Sequence, residues 1–266
     1  MAGEMEPVRV RPARPGDSAA IVRTLREGFD PLILPYTIVS ATGMERFVYD
    51  TLVQDGARSG TVFTLAERGG GAAGVAELRR GVDELFLNHI YVRGDARGTG
   101  LGRQLLRESI LAARDHGQRE IALDVFASNE RARRWYESLG FRERSVAHWV
   151  EARLPNGGVS GRGYLDGLPA ARLSMDRYGF CTFQLATPAG SYRVGRIGAG
   201  LFRVTDGGVL GDGDALSILA EMEPGAALLC ISPEPAVHAH PSLAARVVGT
   251  SHRLAAGVDG ALAALA

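Results

Sequence analysis

The residues able to do chemistry are concentrated between Leu85 and Phe141. An apolar run, Leu85-Phe86-Leu87-Asn88-His89-Ile90-Tyr91-Val92, leads into Arg97-Gly98-Thr99-Gly100-Leu101-Gly102. Leu101, Leu105, Leu106, Ile110 and Ala113 then follow at helical spacing. Glycines let the backbone approach a ligand closely and adopt φ angles that a Cβ disfavours. The unpaired N–H groups of a first helical turn, with the positive end of the helix dipole, favour a diphosphate. Strand, glycine-rich turn and amphipathic helix in this order therefore predict a diphosphate cradle.

Composition removes the other uses of such a turn. The chain contains no lysine, so its positive charge is entirely arginine. A P-loop needs Gly-Lys-Ser/Thr, and a dinucleotide fingerprint needs a third glycine where Arg103 stands. Schiff-base catalysis needs a lysine amine and is excluded as well.

A second pattern follows the first. The strand Ile121 to Phe126 precedes Asn129, Ala132, Trp135, Tyr136, Leu139, Gly140 and Phe141. With both patterns in order, the chain resembles the GCN5-related N-acetyltransferase superfamily. That family's coenzyme-A loop, Arg/Gln-x-x-Gly-x-Gly/Ala, is matched by Arg97, Gly100 and Gly102, and its later Asn-x-x-Ala-x-x-(bulky)-Tyr-x-x-x-Gly-Phe pattern by Asn129 to Phe141. The resemblance covers residues 6–153 and leaves the C-terminal part without a relative.

It implies an α/β fold with a mixed, mostly antiparallel sheet flanked by helices, and an enzyme that moves an acetyl group from acetyl-CoA, as cosubstrate, to a primary amine. The implied coenzyme contacts are Ile90, Tyr91 and Val92, whose backbone N–H groups would stabilise the oxyanion, with Arg97, Gly98, Thr99, Gly100, Leu101, Gly102, Arg103 and Asn129. Tyr136 falls on the tyrosine that commonly protonates the departing thiolate. Asp124 stands where similar ribosomal-protein N-terminal acetyltransferases carry a glutamate base; being one methylene shorter, it is expected to work through a water.

Each of these residues also has a plain structural reading. Ala132, Trp135, Tyr136 and Leu139 form the i, i+3, i+4, i+7 stripe of a core face, and a buried tyrosine can serve both purposes. Asp124 can be a solvated or arginine-paired carboxylate, and Asn129 a helix cap. Glu84 and His89 are weaker base candidates; His89 has a suitable intrinsic pKa, but strand alternation can also bury it in the core. The acceptor decides how much help a base must give, since deprotonating a lysine-like amine at pH 7 costs roughly 4.6 kcal/mol and an α-amine about 1 kcal/mol.

These residues need elements to hold them. Val8 to Arg11 predicts an opening strand, Ile21, Val22 and Leu25 a helix face, Phe29 to Thr42 an apolar loop, and Glu45 to Gln54 a second helix. Thr61 to Glu67 and Ala72 to Arg80 predict strands joined by a hairpin turn at Gly69-Gly70-Gly71. The cradle helix runs to about His116, a helix spans Asn129 to Leu139, and a strand pair covers 141–154. The division is an acetyltransferase domain at 1–154, a linker at 155–163 and a small α+β domain at 164–266. That last unit carries a three-strand meander from Gly179 to Thr205, a helix at Asp214 to Glu221, strands at 227–231 and 244–250, and a helix at 255–265. It has no second coenzyme loop, so a duplicated active transferase is not expected; covering the acceptor cleft or building a homo-oligomer interface is. A chain ending near Asn156 is expected to keep coenzyme binding.

The 266 residues have zero formal net charge, which suggests no nucleic-acid or membrane-surface partner. Nothing at the N-terminus has the form of a secretory signal, and a cytoplasmic location is the default. Cys181 and Cys230 are far apart and predict small buried side chains. His238-x-His240 lacks a carboxylate or cysteine to complete a ligand set, so no metal is expected. The loop Phe29 to Tyr36 is apolar apart from Asp30, which suits an α-amino acid, a small apolar amine or a protein N-terminus better than a polycation. The alternative from another class is a non-catalytic acyl-CoA-binding regulatory module.

Overall fold

The computed structural model describes residues 8–54, 59–114, 117–155, 160–233, 240 and 243–266. The first half opens with β1 (Arg9–Pro12), α1 (Ser18–Gly28) and α2 (Met44–Val53). An antiparallel meander follows, of β2 (Thr61–Arg68), β3 (Gly71–Arg80) and β4 (Glu84–Val92). The turn between β2 and β3 is Gly69-Gly70, both at positive φ as a two-residue hairpin requires. The chain then crosses through α3 (Leu101–Ala113) to β5 (Glu120–Phe126), which lies parallel to β4, and continues as α4 (Glu130–Ser138) and β6 (Arg142–Arg153).

The second half runs through the same order. β7 (Tyr164–Asp166) and α5 (Leu168–Tyr178) precede a meander of β8 (Phe180–Ala186), β9 (Ser191–Ile197) and β10 (Leu201–Val204). A crossover through α6 (Gly213–Met222) reaches β11 (Ala227–Ser232), parallel to β10; β12 (Ala245–Gly257) and α7 (Val258–Leu265) close the chain. As β1 pairs antiparallel with β2, so β7 pairs with β8.

The twelve strands among the described residues form one sheet, ordered β1-β2-β3-β4-β5-β12-β6-β11-β10-β9-β8-β7. The halves exchange their last strands. β12 pairs along its length with β5 and β6, whereas β6, from the first half, pairs with β11. The expected boundary at 154–164 therefore passes through a continuous sheet. Residues 164–232 build most of a second core, around Phe183, Leu185, Val194, Phe202, Leu216, Leu219 and Leu228, and Val150, Ala152 and Leu154 from the first half complete it. But Leu254, Ala256, Val258, Ala261 and Leu265 pack into the first half's core with Leu85, Leu105, Ile110 and Leu123. The C-terminal unit is a structural partner of the first half, and its last twenty or so residues complete the first half's core.

Three local expectations change. The strand pair at 141–154 is the single strand β6, because no Gly, Pro or Asn lies within it to make a turn and it has a partner on each side. The strand expected at 244–250 extends through Gly257, held between β5 and β6, so α7 starts later. The helix α5, with Pro169 in its first turn and positive-φ glycines at both ends (Gly167 and Gly179), was not expected. His116 and residues 156–159 of the proposed linker lie outside the described residues. Both cysteines are buried thiols. Among the described residues no helix is long and apolar enough to cross a membrane.

The strand exchange carries a prediction. A chain ending near Asn156 loses β12 and α7, leaving β5 and β6 as long unpaired edges and removing five apolar residues from the first core. It should be insoluble or lack a cooperative melting transition, contrary to the expectation from motif positions alone. A truncated protein that melts cooperatively near the full-length temperature would contradict the strand exchange.

Candidate functional site

Between β4 and α3 the chain makes a short helical turn at Gly94–Ala96 and then the Arg97 to Gly102 segment. Gly98 and Gly100 have φ of 79° and 83°, and a Cβ built on either would meet nothing within 4 Å. Gly100 is the N-cap of α3 and offers no side-chain cap. Among the described residues the N–H groups of Gly98, Thr99, Gly100, Leu101 and Gly102 donate to nothing; the first bonds of the helix are those from Arg103 and Gln104 to the Gly100 carbonyl. The arrangement is an open, positive-φ turn with successive free donors at a helix N-terminus, which fits a diphosphate. Thr99 Oγ1 donates to Ala96 O at 2.8 Å and fixes the turn. Arg97 donates from Nε to Val92 O at 2.9 Å and lies over the Tyr91 ring. Arg103 donates to Ala264 O, tying α3 to α7.

β4 and β5 pair only over Glu84–Leu87 and Glu120–Leu123, then part. Asn88 is the extra residue of a β-bulge at the point where they separate, since Leu78 pairs with Leu87 and Glu77 with His89. The bulge shifts the alternation of β4. Ile90 and Val92 join Leu85 and Leu87 on the α3 side, and His89 and Tyr91 turn to the other face. From Asn88 onward the β5-facing edge of β4 has no strand partner, which leaves N–H groups on that edge of the Ile90 to Val92 segment available to a ligand lying in the split, while the Val92 carbonyl accepts from Arg97.

On the α3 side of the split, α4 presents Trp135 and Tyr136. A Cβ on Gly102 would lie 3.8 Å from the Trp135 ring, so α4 rests against the first turn of α3. The Tyr136 ring is buried among Trp135, Phe141 and the first core, and among the described residues its hydroxyl has no hydrogen-bond partner. Burial raises the pKa of the phenol, so it stays protonated. Asn129 caps α4, its side chain accepting from Ala132 N at 3.2 Å.

The opposite face carries the remaining ionisable groups. Asp124, the first residue of β5 beyond the split, is in register with Arg253 of β12 and 3.3 Å from it. Arg253 also holds Glu84 at 3.1 Å and lies over the Phe86 ring. Asp124 is thus an arginine-paired carboxylate, and Glu84 shares the same arginine. Glu77 is 2 % exposed; one oxygen accepts from Arg79 at 2.9 Å, and the other has no hydrogen-bond partner and faces His89 Nε2 at 3.7 Å. Burial lowers the His89 pKa, and Glu77 opposes that, so the imidazole is neutral at pH 7. Phe29 closes over His89 edge-on at 5.2 Å. Trp149, Arg203, Arg253 and Glu77 were not singled out in the sequence. Only Glu77 had a signal there, as a lone carboxylate in the apolar run of β3.

The second half has the same helix position but not the cradle. Asp212 caps α6, accepting from Ala215 N at 3.0 Å, and Asp214 stands in the first turn. Two carboxylates occupy the place a diphosphate would need. β10 is paired with β11 over all four of its residues, so no split opens there. His238 lies outside the described residues, and among those described no three His, Cys, Asp or Glu are placed to hold a metal ion.

Comparison with known proteins agrees with this geometry. Residues 33–141 match the model of the acetyltransferase (GNAT) family. The chain is 38 % identical over 88 residues to N-alpha-acetyltransferase 40 of Saccharomyces cerevisiae (30 % of this chain, 31 % of that protein). It is 34 % identical over 77 residues to the probable N-acetyltransferase camello of Xenopus laevis (29 % and 35 %). The matched region thus spans about a third of each relative. A tandem GNAT protein from the clavulanic acid biosynthesis pathway shares the fold over nearly the whole length, with a TM-score of 0.60 at 11 % identity, covering 95 % of this chain and 99 % of that one. The duplicated architecture is therefore that of a tandem GNAT fold.

Proposed function

We propose that the protein is an acetyl-CoA-dependent N-acetyltransferase acting on a primary amine of the α-amino-acid, small apolar amine or protein N-terminal class. The observation that carries this reading is the split between β4 and β5. The free N–H cradle and a buried phenol lie on one side of it, and a group of ionisable side chains on the other.

Bound acetyl-CoA supplies a thioester carbonyl and a thiolate leaving group. The N–H groups of residues 98–102 hold its diphosphate, and the free edge of β4 at Ile90 to Val92 binds the pantetheine arm and offers N–H donors to the tetrahedral oxyanion. Tyr136, kept neutral by burial, donates its proton to the sulfur. On the acceptor side the incoming ammonium must lose a proton. Asp124, held by Arg253, acts there through a water, and neutral His89 is the second group able to take that proton. For an α-amine about 1 kcal/mol is needed at pH 7, within reach of a weak base.

The test is a thermal shift with acetyl-CoA alone beside thiol release across a panel of primary amines. Stabilisation is expected, with thiol released from acetyl-CoA in the presence of some amine. Stabilisation without thiol release in the presence of any amine would support the non-catalytic binding module instead.

A further inference from the structure

Arg203 on β10 is the unusual cation of the acceptor cleft. Leu201 and Arg203 alternate with Phe202 and Val204, which point into the second half's core, so the guanidinium is on the opposite face, with Trp149, Leu229 and Ile33. It lies over the Trp149 ring, 5.6 Å from its centroid. Trp149 is pinned by Ser251, which accepts from Nε1 at 3.1 Å, and packs on Phe126 of β5 at 4.8 Å. Phe126 lies two residues beyond Asp124 on the same strand, so the platform that carries Arg203 is continuous with the apex of the split.

Arg79 and Arg253 in this cleft both hold carboxylates, Glu77 and the Asp124–Glu84 pair. Arg203, among the described residues, has neither a hydrogen bond nor an ion pair within reach. It is poorly solvated and close enough to Arg79 and Asp124 to feel both, and burial with the like charge of Arg79 lowers its pKa. A partly buried guanidinium with no anion bonded to it is costly, and a carboxylate delivered by a ligand relieves that cost.

We propose that Arg203, laid on Trp149, is the acceptor-anchoring residue and binds the carboxylate of an amine substrate, so that the acceptor is an amino acid or another amine bearing a carboxylate. The inference rests on the transferase reading above and narrows its acceptor. It also gives the second half a role in the reaction, since the anchor is carried on β10 while the coenzyme groups belong to the first half.

Matched acceptors test this: L-leucine against isopentylamine and L-phenylalanine against 2-phenylethylamine, each with acetyl-CoA and thiol detection. The full-length wild type should favour the carboxylated member in kcat/KM. Arg203→Gln should raise KM for that member by about 10- to 100-fold, bringing the ratio of the pair toward one. Arg203→Lys should recover part of the preference, and both variants should keep the thermal shift with acetyl-CoA, which also shows that they are folded. An undiminished preference in Arg203→Gln, or equal use of acid and amine by the wild type beside normal coenzyme stabilisation, overturns the anchor and leaves the transferase standing. Absence of both coenzyme stabilisation and turnover in the wild type overturns both.

Discussion

Replacing Gly100 with aspartate is expected to abolish stabilisation by acetyl-CoA while leaving a folded protein. The substitution puts a carboxylate at the N-cap of α3, beside the free N–H groups of residues 98–102. It would cap those donors from within, as Asp212 does at α6, and would repel the diphosphate. Affinity should fall by roughly 100-fold or more, the scale of losing two or more charge-assisted hydrogen bonds and adding a like charge. The fold should tolerate it, because a Cβ at Gly100 meets nothing within 4 Å and the cost is the positive φ, about 1–2 kcal/mol. That corresponds to a lowered melting temperature of a few degrees, about 2–4 °C per kcal/mol at this size. Gly100→Ala separates the two causes, carrying the φ penalty without the charge and so retaining most of the coenzyme shift. Equal shifts in wild type and Gly100→Asp would remove the cradle from the account.

Tyr136→Phe should lower turnover by roughly 100-fold or more, the usual scale for a positioned acid, with coenzyme affinity within a few-fold of wild type. Phenylalanine preserves the packing against Trp135 and Phe141 and deletes only the hydroxyl, which has no partner among the described residues. Because burial raises the phenol pKa above its ordinary value near 10, Tyr136 remains protonated across the working range. The wild-type pH–rate profile should therefore show no falling limb from this group below about pH 10. Unchanged turnover in the variant would return Tyr136 to a purely structural role.

What could be read from the chain was what is local. The cradle, its helix and the Asn129 to Phe141 pattern lie within one short stretch, and glycine placement and apolar spacing report on their own neighbourhood. The β4 bulge was not legible, because alternation counted straight through from Leu85 puts His89 and Tyr91 beside Leu87, when the extra residue Asn88 moves them across the sheet. Nor was the pairing of Asp124, since its partner Arg253 comes from a strand far along the chain whose register no local pattern encodes. The duplication escaped for a related reason. The second half repeats an order of elements without repeating the glycine turn, and the motif vanished where Asp212 and Asp214 replaced its function. The same distance separates Arg203 from the site it faces.

The most direct test of the account is to incubate the full-length protein with acetyl-CoA and a carboxylated primary amine, then measure free coenzyme thiol and N-acetylated amine in the same sample. Equal amounts of thiol and N-acetyl product are expected, formed at a rate that depends on Tyr136. Thiol without N-acetyl product, or coenzyme binding that yields neither, would contradict transfer to an amine.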